Sequence, residues 1–170
     1  MMLSIRRLLA YWIDFVLLAA VLIGFQMLLY NMTGGFPFDY FSKGYQIELW
    51  VLGTMSLPVW LYFVLCERLR QTTIGKRICM LSVSDREGAN INWRQSLTRT
   101  AVKLLPWELT HMLILIPDPW WSIEEPANPY LILIPNAVML LYMIVLFINK
   151  GVIGVHDLLA QTKVNDVKAR

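Results

Sequence analysis

The chain has 170 residues, 57% hydrophobic and only 16% charged, with a formal net charge of +3. A soluble domain carries about 25% charged residues, so the composition excludes a soluble globular protein and indicates one membrane domain of ordinary size. The basic residues are accounted for by membrane topology and by attraction to anionic lipid at the cytoplasmic face, worth about 1 kcal/mol each near the surface, which excludes a nucleic-acid-binding role.

Arg6 and Arg7 open the chain and lead into a first apolar segment, Leu8 to Tyr30. Within it stands Asp14, and a carboxylate in mid-bilayer costs roughly 2.5 to 3.5 kcal/mol on insertion scales. Because Asp14 interrupts the run and no A-x-A-like site follows, the segment reads as a retained helix and not as a cleaved signal peptide. Tyr30, Phe36, Phe38, Tyr40, Phe41, Tyr45 and Trp50 bracket the next loop, and read as an interfacial aromatic belt at headgroup level or as a partner-binding surface. The sequon Asn31-Met32-Thr33 lies hard against the membrane and is a pattern frequent by chance.

A second span runs from Ile47 to Cys66. After it come Arg68, Arg70, Lys76, Arg77, Arg86, Arg94, Arg99 and Lys103, the densest basic stretch in the chain. In this loop Arg77 to Ser84 reads as a strand, Asp85-Arg86-Glu87-Gly88 as a turn, and Ala89 to Asn92 as a brief return strand, so that a small β-hairpin over about 75–92 is expected. Asn92 with Gln95 three residues on has the form of a capping box and starts the next helix. Gly75-Lys76 is not a phosphate loop, since G-x-x-x-x-G-K-[ST] is absent. Cys66 and Cys79 lack C-x-x-C spacing and are expected to stay reduced on the cytoplasmic side.

The third span, Ser96 to Ile116, is the least apolar, because Arg99 and Lys103 enter its start and Pro106, Glu108 and His111 interrupt it. It reads as a tilted span or a re-entrant helix. Glu108 and His111 lie about 60° apart around a helix and can share a hydrogen bond or face one aqueous cavity. One Glu-x-x-His is half of a di-metal carboxylate signature, and no second copy exists in the chain, so no metal site is expected. Trp120, Trp121 and Tyr130, with Asp118, Glu124 and Glu125, mark a second aromatic outer loop. The fourth span runs from Tyr130 to Ile148. Pro58, Pro106 and Pro135 interrupt three of the spans, either kinking them or freeing carbonyls to line a path.

Basic residues accumulate on the cytoplasmic side of short loops. Lys150, Lys163, Lys168 and Arg170 follow the fourth span, and only Lys43 falls in an outer loop, so four spans place both termini and the central loop inside. Three spans would put the basic tail outside. The expected architecture is an all-α four-helix transmembrane bundle with a small cytoplasmic hairpin and tail.

Arg7-Leu8-Leu9-Ala10-Tyr11-Trp12-Ile13-Asp14, Thr73-Ile74-Gly75-Lys76-Arg77 leading to Val83-Ser84-Asp85 and Gly88, Arg99, and His156-Asp157-Leu158-Leu159-Ala160-Gln161-Thr162-Lys163-Val164 together resemble the RDD family of small polytopic bacterial membrane proteins. The resemblance covers nearly the whole chain and implies a bacterial cytoplasmic-membrane location. It makes Arg7, Asp14 and Asp157 the naming arginine and aspartates. Ser84 stands where family members often have an apolar strand residue.

Positions 7 and 14 share a helix stripe but lie about 10 Å apart along it. Asp157 is therefore expected to meet Arg7 if the tail returns to the membrane, with Arg99 or His156 reaching Asp14. Such a cluster serves either as a staple that adds specificity or as a proton- or cation-binding carboxylate site. No nucleophile elbow, H-E-x-x-H or cysteine paired with a base is present, so no enzyme and no cofactor are expected. Two functions follow. One is a small cation or proton transporter or antiporter, with Asp14, Glu108 and His111 as a polar path in a homodimer or larger assembly. The other is a non-catalytic adaptor that binds another membrane protein.

Overall fold

The computed structural model describes residues 2–115 and 128–167. Asp118, Trp120, Trp121, Glu124 and Glu125 of the second aromatic loop, the last residue of the expected third span, Ile116, and the tail residues Lys168 and Arg170 lie outside the described residues.

Helix α1 is Leu3–Thr33, and its C-cap Gly34 takes a left-handed conformation at φ 69. The second apolar segment is continuous from α2, Gly44–Val51, through a π-helical turn, Leu52–Ser56, into α3, Leu57–Arg70. The π turn has a local cause. Pro58 lacks the N–H that an α-helix needs there, and the Leu57 N–H bonds to the Leu52 carbonyl five residues back. Helix α4, Ile74–Ile78, precedes strand β1, Leu81–Asp85. Helix α5 is Trp93–Leu115, a 3-10 turn at Pro129–Ile132 leads into α6, Leu133–Ile148, and the chain ends in α7, Val155–Ala160, and β2, Thr162–Asp166. Among the described residues three stretches are long and apolar enough to cross a membrane: Leu3–Thr33, Gly44–Arg70 and Tyr130–Ile148.

The reciprocal cap at the start of α5 forms, the Asn92 N–H reaching Gln95 Oε1 and the Gln95 N–H reaching Asn92 Oδ1, both at 2.9 Å. Helix α5 then runs antiparallel to α3 and α2. Ser96 Oγ donates to the Val64 carbonyl at 2.8 Å, Trp60 Nε1 to Glu108 Oε1 at 2.8 Å, and His111 Nδ1 lies 2.9 Å from Glu48 Oε1. Tyr142 Oη donates to the Val102 carbonyl at 2.8 Å and ties α6 to α5. Farther along, Gln26 of α1 accepts from Trp50 Nε1 at 2.9 Å and donates to Thr54 Oγ1 at 2.7 Å.

The expected hairpin over 75–92 is corrected. Residues 74–78 are helical, and β1 pairs not with Ala89 to Asn92 but antiparallel with β2, Leu81 opposite Asp166 and Asp85 opposite Thr162. The turn itself forms, with Gly88 at φ 94 and the Asp85 N–H bonded to the Ala89 carbonyl at 3.0 Å. Packing decides against the local return. Val83 and Val164 face the same buried core as Leu81, Ile91, Cys79 and Ala10, and each such apolar side chain contributes roughly 1.5 to 3 kcal/mol when fully buried. Ser84 is accommodated by hydrogen bonding, accepting from Asn165 Nδ2 at 2.8 Å. Arg6 clamps this unit to α1 through the Cys79 and Met80 carbonyls and a salt bridge to Asp166.

Candidate functional site

Asp14 is 1% exposed and organises the start of α4. Its Oδ1 accepts the Gly75 N–H at 2.7 Å and the Tyr62 hydroxyl at 2.5 Å, and its Oδ2 accepts the Thr73 hydroxyl at 2.6 Å. The first amides of a helix lack intrahelical partners, and here each is met. The Ile74 N–H donates to Tyr62 Oη at 3.0 Å, the Gly75 N–H to Asp14, and the Lys76 N–H to Thr73 Oγ1 at 3.2 Å. A carboxylate at the positive end of a helix is also favoured electrostatically. Gly75 permits the approach, because a Cβ there would sit 2.0 Å from the Ala10 carbonyl oxygen.

The expectation that Arg99 or His156 reaches Asp14 is corrected. Arg99 bonds Glu67 Oε2 through Nε at 2.8 Å and Asp157 Oδ1 through Nη1, whereas every donor found on Asp14 is a neutral group. The reason is reach along α5, whose first turns lie beside the end of α3 and beside α7. Arg7 does meet Asp157, at 2.6 Å, and its other nitrogen donates to the Gly151 and Val152 carbonyls at 2.9 and 3.1 Å. Arg7 and Asp14 do not pair with one another; each has partners of its own.

Asp157 and Glu67 are the two anchors of this charge knot. Besides both arginines, Asp157 accepts the Gly154 N–H at 2.7 Å and the Thr162 hydroxyl at 3.1 Å, so it caps α7 while joining α1, α5 and β2. Glu67 accepts Arg99, Lys76 at 2.5 Å and Lys103 at 2.7 Å. Asp157, Glu67 and Arg99 are all 0% exposed. Burial alone would raise the Asp157 carboxyl, but Arg99 and then Arg7 outweigh it and hold it well below the usual carboxylate range. Burial pushes Lys76 down to about 7 against the pull of Glu67. Burial, with Arg99, Arg7 and Lys103 nearby, likewise holds His156 well below its ordinary value despite Asp157. A neutral His156 fits the geometry, since its Nε2 lies 3.1 Å from an Arg7 nitrogen that can only donate.

A second polar group lies in the far half of α5. His111 sits between two carboxylates from different elements, Nδ1 2.9 Å from Glu48 Oε1 and Nε2 3.1 Å from Glu108 Oε2. Ser56, in the π turn, donates to Glu108 Oε2 at 3.2 Å, and Trp60 Nε1 to Oε1 at 2.8 Å. Interrupted helices of this kind recur at functional sites. The expected pairing of Glu108 with His111 is thus present, but no hydrogen bond of the described residues links them to Asp14. Glu48 and Glu67 were not among the expected site residues. Each is a lone acid near the end of a span, where acids are unremarkable, and nothing local announces the histidine or arginine that each one meets. Among the described residues no cluster of three or more His, Cys, Asp or Glu is arranged to hold a metal ion, and Cys66 and Cys79 are free thiols.

A cavity of about 430 Å³ opens between α1, α5 and α6, and Arg7, Asp14, Lys76, Lys103 and His156 line part of it. Together these features define a helical membrane protein in which α1, α3, α4, α5, α7 and β2 are tied together by a buried charge knot. Residues 4–161 match the RDD family, and the chain belongs to that family. No curated protein and no solved structure matches it.

Proposed function

We propose that this protein is a non-catalytic, multi-pass protein of the bacterial cytoplasmic membrane that exchanges protons for a monovalent cation through Glu48, His111 and Glu108. It works as a homodimer or larger assembly, because four helices enclose little volume. The observation that carries this reading is the histidine with a carboxylate on each ring nitrogen, 2.9 and 3.1 Å away. With His111 protonated the group has net charge −1, and one proton or one monovalent cation neutralises it. When the single proton sits instead on Glu48, with His111 neutral and its hydrogen on Nε2, Glu48 gives its proton to Nδ1 while Nε2 passes its own to Glu108. The histidine ends as the other tautomer, and one proton has moved along the chain.

The topology supports this placement. From Glu67, beside Arg99, to Glu48, beside His111, the second span covers about 28 Å at 1.5 Å per residue, close to the ~30 Å of a hydrocarbon core. We therefore read α5 as the remaining span, with both termini, α4 and the two-stranded sheet on the cytoplasmic side. The RDD charges are then the frame and not the pathway. Proton flux into proteoliposomes driven by sodium or potassium gradients tests the reading: wild-type flux exceeds that of empty vesicles, and equality under several gradients rejects it.

The saturation of Asp14 and Asp157 favours a second reading, a membrane adaptor whose charges are structural throughout. It requires a stoichiometric membrane-protein partner surviving purification from native membranes in mild detergent. Absence of one counts against it.

A further inference from the structure

The charge knot is not balanced. Arg7, Lys76, Arg99 and Lys103 are four cations, and the carboxylates packed with them are Glu67, Asp157 and, through the shared cavity, Asp14. One positive charge remains with His156 neutral and Lys76 protonated. The excess faces the cavity: Lys76 and Lys103 both converge on the single oxygen Oε1 of Glu67 while also lining the cavity wall. Buried Arg99 Nη2 and His156 Nδ1 have no hydrogen-bond partner among the described residues. An uncompensated cation in such a place is costly unless an anion approaches it.

The rest of the cavity is apolar. It is walled by Tyr11, Trp12 and Phe15 of α1, Trp107 of α5, and Met139 and Met143 of α6. The lining runs from Arg7 to Phe15 on α1, Lys103 to Thr110 on α5 and Leu146 back to Pro135 on α6, a depth of about 10 to 17 Å at 1.5 Å per residue. All three helices have their cationic neighbours at the same end.

We propose that this cleft binds an anionic membrane lipid, its headgroup against Lys76, Lys103, Arg7 and His156 and an acyl chain lying along the methionines and aromatic rings toward Pro135. Any bilayer lipid can fill an apolar cleft, so the content of the proposal is selection by headgroup charge.

The test is native mass spectrometry of the full chain in detergent with equal amounts of phosphatidylglycerol and phosphatidylcholine. The wild type is expected to retain one phosphatidylglycerol per protomer at least tenfold over phosphatidylcholine. Lys103→Gln, which leaves Glu67 paired with Arg99 and Lys76 and so spares the fold, is expected to reduce that preference severalfold. Met139→Trp, which fills the apolar part, is expected to lower retention of both lipids. Equal retention of the two lipids by the wild type overturns the proposal, as does an unchanged preference in Lys103→Gln. Displacement of phosphatidylglycerol by millimolar inorganic phosphate overturns it too, because the acyl chain would then contribute nothing. The wild-type comparison decides even if a variant does not fold.

Discussion

Asp157 and Asp14 are both buried aspartates of one family motif, yet their partners differ in kind. Asp157 faces two guanidinium groups, so Asp157→Asn leaves buried cations uncompensated and is expected to cost about 3 to 5 kcal/mol. Asp14 faces two hydroxyls and one amide. Asp14→Asn therefore loses hydrogen bonds but takes the carboxylate from no salt-bridged cation, and about 1 to 3 kcal/mol is expected. Thermal unfolding in one detergent should rank the variants in that order; a greater loss for Asp14→Asn would contradict these assignments. His156 adds a pH dependence. Its folded value is depressed, so below the ordinary histidine value of about 6.5 the unfolded chain binds the proton first and stability falls as pH falls. Asp157, also depressed, contributes stability that is present above about pH 3.9 and lost beneath it. Between pH 7 and 5.5 the melting temperature of His156→Gln should accordingly rise relative to wild type, by up to about 1.4 kcal/mol equivalent per pH unit, and a constant difference would show that His156 is not held neutral.

At the scale of elements, the short α4 depends on one close approach. A Cβ on residue 75 would meet the Ala10 carbonyl oxygen at 2.0 Å and Asp14 Cγ at 3.0 Å, and helix backbones are not the flexible ends of side chains. Gly75→Ala is expected to pull α4 off α1 and expose the Asp14 bonds, read as faster hydrogen exchange at Ile74, Gly75 and Lys76. Unchanged protection there would contradict the docking described. The apolar runs, the cap at Asn92 and the turn at Gly88 were legible because each is written in adjacent residues. The strand partner was not. Ala89 to Asn92 is the nearest candidate in sequence, and the actual pairing with Thr162–Asp166 depends on Arg6, Asp157 and a core shared with α1. Glu67 was equally hidden, since its role appears only when α4 and α5 bring Lys76, Arg99 and Lys103 to it.

In the whole molecule, polar residues divide into two sets with different work. The knot around Glu67 and Asp157 joins α1, α3, α4, α5, α7 and β2, while Glu48 of α2 and Glu108 and His111 of α5 meet farther along these helices. The membrane class and the motif charges could be read from composition and spacing, but this division could not, because Asp14, Glu108 and His111 look equally anomalous along the chain. Their surroundings separate them: Asp14 is saturated by fixed neutral donors, whereas His111 lies between two carboxylates. The central claim is that the motif carboxylate is frame and the histidine group is the titrating centre. Cation-driven proton flux in proteoliposomes, compared for wild type, Asp14→Asn and His111→Gln after each is shown to be folded and monodisperse, tests it most directly. The expected result is flux within about twofold of wild type for Asp14→Asn, an allowance of about 0.4 kcal/mol on the barrier scale, and flux at the empty-vesicle level for His111→Gln. Loss of flux in Asp14→Asn with full flux in His111→Gln would contradict it.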